Sequence, residues 1–238
     1  MKSRLLKSTA TLGLALACLA ASTAQARTMS VPADRVLSAA RAASGGAGWK
    51  YLRGWRETGT LDGQAYETWI DPLRFGMRTE VHEATGVRVH GFNGQGDWEI
   101  APDGTATGTG DRLSVERART QAFFTGELFL YPGRFEAKVA LVGARQAGGR
   151  AFDVLRMEPW GGNAREVWID RGTHLVARIV DRSGAKPMSV ELSDYRKVGP
   201  VRVAFHYRIK GADGVHERQI ETLVFAPADR DLFSLPRN

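Results

Sequence analysis

The chain has 238 residues, 43% of them hydrophobic and 25% charged, with 33 Lys and Arg against 26 Asp and Glu for a formal net charge of +7. Basic residues are interspersed with acids and no block of five like charges occurs, which argues against nucleic acid as a partner. One cysteine, Cys18, cannot supply a disulfide framework, so stability has to come from packing, and the length suits one all-β core.

Lys2, Arg4 and Lys7 precede a short apolar run, Leu12 to Ala21, which leads to Ser22-Thr23 and Ala24-Gln25-Ala26. This is the form of a secretory signal peptide. The run is shorter than the roughly 20 residues that span a bilayer, and the A-x-A triplet suits signal peptidase. Cleavage after Ala26 is expected, with residues 27–238 forming a single domain in the periplasm. The alternative is a lipoprotein anchored at Cys18, which follows the small residue Ala17.

Pro32 opens a predicted helix from Ala33 to Ala43, with Val36, Leu37, Ala40 and Ala43 on one face and Ser44-Gly45-Gly46 as its stop. Strands are predicted at Trp55 to Leu61, Ala65 to Ile70, Arg74 to His82, Val87 to Phe92 and Asp97 to Ala101, forming a first meander whose last turn carries Asn93-Gly94. Asp103 to Gly110 reads as a flexible connection without a phosphate-binding fingerprint. Asp111 then caps a predicted helix from Arg112 to Leu130, with Leu113, Val115, Ala122, Phe123 and Leu130 among its apolar positions. Its end is unusually apolar: Phe123, Phe124, Leu128, Phe129, Leu130 and Tyr131 cannot share one narrow stripe, so this segment is expected to be deeply buried or to cover a cavity.

A second meander follows, with strands at Phe135 to Val142, Ala151 to Glu158, Val167 to Ile169 and Leu175 to Val180. Its strand at Val201 to Ile209 alternates, with Val201, Val203, Phe205, Tyr207 and Ile209 inward and Arg202, Ala204, His206 and Arg208 outward. Val215 to Phe225 is the last strand, and Asp231 to Pro236 a tacked-down tail. Glu67-Thr68-Trp69-Ile70-Asp71 with Arg78 parallels Glu166-Val167-Trp168-Ile169-Asp170 with Arg178, which reads as one hairpin type used twice.

Motifs for catalysis are missing. None of the five histidines has a partner at zinc spacing, no G-x-S-x-G elbow occurs, and neither a nucleotide nor any other cofactor is called for. Glu67 with Asp71 and Glu166 with Asp170 flank tryptophans in a way that would suit carbohydrate chemistry, although carboxylates at strand ends are common.

The order of helix, meander, apolar helix and second meander resembles the LolA/LolB-like superfamily of periplasmic lipoprotein carriers and lipid-binding modules. The matching text is E-x-W-I-D followed by Leu175 and Arg178, then Leu192-Ser193-Asp194-Tyr195-Arg196 with Val198-Gly199, and the ending Leu232-Phe233-Ser234-Leu235-Pro236. The resemblance implies a mainly β fold with a few helices: a curved antiparallel sheet, an incomplete β-barrel, whose concave face is covered by helices. It implies a non-catalytic carrier for lipids or lipoprotein acyl chains, a monomer, dealing with membrane-associated donor and acceptor proteins. Ligand contacts are expected between the apolar helix, at Phe123, Phe124 and Leu128, and the sheet face bearing Val203, Phe205 and Tyr207. A sensor or protein-interaction module on the same fold is the rival reading, and an enzyme comes third.

Overall fold

The computed structural model describes residues 30–134 and 136–236. The expected signal peptide, its cleavage site and Cys18 lie outside the described residues, as does Phe135. The first helix, α1 (Val31–Ala43), starts where Ser30 caps the backbone N–H of Ala33, has Pro32 in its first turn, and buries Ala33, Leu37 and Ala40. A 3-10 segment, Gly46–Tyr51, follows and places Trp49 fully inside, its indole N–H donating to the Ser44 carbonyl at 3.1 Å.

The first meander comprises β1 (Trp55–Leu61), β2 (Gln64–Asp71), β3 (Gly76–Glu83), β4 (Gly86–Phe92), β5 (Asp97–Ile100) and β6 (Ala106–Thr109). The last of these corrects the flexible connection expected at Asp103 to Gly110. Its four residues are all exposed, so no burial pattern betrays them, and backbone pairing with β5 alone defines the strand. The helix α2 (Arg112–Thr125) starts at Asp111, whose carboxylate accepts from the N–H groups of Leu113 and Ser114.

It stops five residues earlier than expected. Glu127 takes left-handed backbone (φ 48°), and Leu128–Leu130 continues as a 3-10 turn. Gly126 suits the joint because a Cβ there would meet the Ala122 carbonyl, Leu128 and Ile70 at 3.0 to 3.2 Å, closer than ordinary contact, so the chain closes on β2 with least displacement without one. Leu113, expected on the apolar side of this helix, is exposed.

The second meander runs through β7 (Ala137–Ala147), β8 (Arg150–Pro159), β9 (Arg165–Asp170), β10 (Val176–Asp181), β11 (Met188–Val198), β12 (Val201–Lys210) and β13 (Val215–Val224), with a 3-10 turn at Arg230–Phe233. Thirteen strands form one sheet in the order β6-β5-β4-β3-β2-β1-β13-β12-β11-β10-β9-β8-β7, with antiparallel neighbours throughout. The chain's last strand pairs with its first, which fuses the two meanders. β6 and β7 are the two ends and do not meet, so the sheet is an open, curved half-barrel. Its concave side holds one apolar cluster that joins Phe92 of β4, Met157 of β8 and Phe205 of β12 to Leu37 of α1 and Phe123 of α2. The expected fold class is therefore the observed one.

The repeated hairpin is also present. Ile70 and Ile169 are both buried, while Trp69 and Trp168 face the other way and pair across the ladder with Arg78 and Arg178. Asp71 and Asp170 each turn the chain by accepting backbone N–H groups two and, for Asp170, also three residues on. One alternation departs from expectation: Ala204, placed outward by the pattern, is fully buried. Asp194 adopts left-handed backbone (φ 53°) where β11 passes β12, and its neighbour Tyr195, paired with Ala204, sends its hydroxyl to the Val176 carbonyl at 2.7 Å.

Candidate functional site

All six residues expected to contact a ligand come together. Phe123 and Phe124 from α2, Leu128 from the turn after it, and Val203, Phe205 and Tyr207 from β12 belong to the same buried cluster. Two adjacent phenylalanines point about 100° apart around a helix, yet both are covered, because α2 lies inside the concavity and has apolar neighbours on more than one side. Phe123 and Phe124 meet edge to face at 5.1 Å, each is 6.1 Å from Phe129, and the Arg165 guanidinium lies 5.2 Å over the outer face of Phe124. Arg41 of α1 holds the turn by donating from Nε to the Phe129 carbonyl at 3.0 Å. The covering segment thus rests directly on the sheet.

Beneath it is a polar cluster that the sequence reading did not include. Glu57 of β1 is 1% exposed, accepts from the Tyr66 hydroxyl at 3.1 Å and faces Arg218 of β13 at 3.3 Å. The Arg218 guanidinium lies 3.9 Å over the Tyr207 ring. A register shift brings β13 close here: Thr58 pairs with Thr222 but Gly59 with Ile220, and a side chain on Gly59 would collide with the Gln219 carbonyl. Burial pushes the Glu57 carboxyl up against the pull of Arg218. Burial also works against the Arg218 charge, but Glu57, Tyr207 and Tyr66 outweigh it and keep that group firmly protonated.

Glu127, at the joint of the covering segment, is 2% exposed, and neither of its carboxylate oxygens has a hydrogen-bond partner among the described residues. Desolvation drives its pKa up to about 8, with Arg218 pulling it down and Glu57 adding to the rise. A signal for both acids exists in the sequence. Glu57 stands in the inward phase of β1, between Trp55 and Gly59, and Glu127 is the lone charge in the run from Phe123 to Tyr131.

Beside α2, a cleft of about 380 Å³ opens between β4–β5 and the start of β9 with the β10–β11 connection. Arg165 reaches into it, 9% exposed, with Nε 3.0 Å from Asp181 and both terminal nitrogens 3.4 Å from Gln121 Oε1. Burial pulls the Arg165 pKa down and Asp181 works the other way.

The carboxylates weighed for carbohydrate chemistry are engaged elsewhere. Glu67 pairs with Arg56 and Glu166 with Arg182, while Asp71 binds Arg74 and Asp170 binds Arg150, besides their turns. Among the described residues no three metal-ligating side chains converge.

No family model matches the sequence, and neither does any curated protein. Solved structures do match. A domain from Vibrio parahaemolyticus assigned to outer membrane lipoprotein sorting is 11% identical, covers 84% of this chain and 96% of its own, and superposes with a TM-score of 0.53. A DUF1329 family protein from Desulfovibrio piger is 12% identical over 85% of this chain and 97% of its own, with a TM-score of 0.55. A LolA superfamily protein from Nitrosomonas europaea has the same coverages and TM-score at 9% identity. At these identities the likeness speaks for architecture: an open curved sheet around helices in its concavity is a LolA-like fold, and this chain has it.

Proposed function

We propose that the protein is a non-catalytic periplasmic carrier for lipids or lipoprotein acyl chains, bound on the concave face after the α2 segment moves aside, and exchanged with membrane-associated donor and acceptor proteins. The observation that carries this reading is the joint at Gly126 and Glu127. A segment meant only as core would not end in a strained, left-handed residue whose buried carboxylate lacks a hydrogen-bond partner among the described residues. Beside the Glu57–Arg218 pair, the same buried cluster offers apolar surface from Val203, Phe205 and the Tyr207 ring, the kind of surface acyl chains need. The lipoprotein-sorting assignment of a structure with the same fold supports the choice of ligand.

A reversible lock tests it. A Cβ on Gly162, in the β8–β9 loop, would lie 2.8 Å from Thr120 Oγ1 of α2 and 2.9 Å from Pro159 Cγ; the first distance is near the roughly 3 Å between one Cβ and the other residue's sulfur in a disulfide, provided Pro159 gives slightly. Thr120→Cys with Gly162→Cys, in a Cys18→Ser background, should bind a fluorescent fatty-acid probe when reduced and lose binding when oxidised. Phospholipid or an acylated peptide should displace the probe. Equal binding in both redox forms would remove the moving lid. A wild-type protein that binds no acyl ligand and carries no lipid would leave the protein-interaction reading ahead.

A further inference from the structure

The cleft beside α2 has a charge arrangement that the acyl-binding reading alone does not require. Its two carboxylates are already occupied: Asp97 Oδ1 is 2.8 Å from His90 Nε2, and Asp181 receives Arg165 Nε and the Ser183 hydroxyl. Of its three Arg and Lys side chains, two are not. Arg117 donates one guanidinium N–H to Ser114 Oγ at 3.0 Å and has no ion-pair partner among the described residues, and the same holds for Lys186 on the opposite rim. Arg165 adds two terminal nitrogens whose contacts with Gln121 are long. Three cationic groups with spare N–H donors therefore face one space that offers no spare carboxylate.

The floor of the cleft connects this space to the lid. Ala118 lines the cleft and belongs to the buried core, and the Arg165 guanidinium stands 5.2 Å over Phe124, one of the residues expected against an acyl chain. We infer that the cleft seats the anionic head, carboxylate or phosphate, of an amphiphile whose chain runs under α2. This rests on the acyl-binding reading. Arg117 and Lys186 approach from the rims, and Arg165, fixed by Asp181 and the Phe124 ring, gives the charged floor.

The test compares dodecanoate, dodecyl phosphate and dodecanol, which share a chain and differ in the head, by calorimetry on the intact protein. Both anions should bind about tenfold more tightly than the alcohol. In the double variant Arg117→Gln, Lys186→Gln that advantage should shrink to about threefold or less, while alcohol binding stays as it was. Both positions are exposed, so folding is not at stake. Equal affinity of all three ligands for the wild-type protein would overturn the head site and leave the carrier reading standing, whereas binding of none would remove both. Inorganic phosphate bound as tightly as dodecyl phosphate would make the cleft a site for free anions and overturn the proposal in that way.

Discussion

Replacing Glu127 by Gln is expected to stabilise the protein by about 3 to 5 kcal/mol at pH 8 and to change little at pH 4.5. The acid is held up to about 8 in the folded state, while its ordinary value is 4.5. Between those values the folded protein keeps a proton that the unfolded chain has lost, so stability falls as pH rises through the window and levels off above it. The sign is opposite to that of a salt-bridged carboxylate.

Gln keeps the size and removes the titration. Glu57 is pushed up as well and stays in the variant, and Arg218, Tyr66, Tyr195 and Tyr207 around it remain protonated across the window. The difference between the two proteins therefore reports Glu127 together with its coupling to Glu57. Denaturant unfolding from pH 4.5 to 8.5 should show two curves diverging with pH, and parallel curves would mean that the Glu127 carboxylate finds water or a partner in the folded state.

Much of the architecture could be read from the sequence because its strands are one-sided. Ile70 and Ile169 inward with Trp69 and Trp168 outward, and the alternation through Val201, Val203, Phe205 and Tyr207, identify the buried face from period alone. Where burial does not mark a segment, the pattern is silent: β6 is exposed at every position and owes its existence to backbone pairing. The early end of α2 was also hidden. A run such as Phe123 to Tyr131 looks equally apolar as a helix or as a helix followed by a 3-10 turn, and the break is marked by Gly126 as the cap and by left-handed backbone at Glu127.

The candidate site divides in the same way. Its apolar members announced themselves by hydrophobicity, and the sheet brought all six into one cluster. Its charged members come from places far apart in the chain, β1, the α2 joint and β13, and Glu57 faces Arg218 because β13 closes onto β1. Glu57 and Glu127 each carried a local sign, an acid in an apolar phase, but nothing local told that Arg218 would face them.

Phe123→Ala and Phe124→Ala should each cost about 3 to 5 kcal/mol in denaturant unfolding. Their residues are 0% and 3% exposed, and each ring packs on the other and on Phe129. From the sequence alone, a helix over a cavity would leave at least one of the two rings weakly packed. The closed structure packs both, so room for a chain has to be made by moving α2. That cost can be offset: each methylene withdrawn from water contributes about 0.8 kcal/mol, so a chain of about a dozen carbons supplies on the order of 8 to 10 kcal/mol once the face is bared. The same exchange predicts that Phe124→Ala, while less stable, binds the fatty-acid probe more tightly, because less packing has to be undone before the chain can enter. A loss below about 1 kcal/mol at either phenylalanine would show the helix standing over free space in the resting protein. A large stability loss in Phe124→Ala without any gain in probe affinity would separate α2 from the ligand altogether.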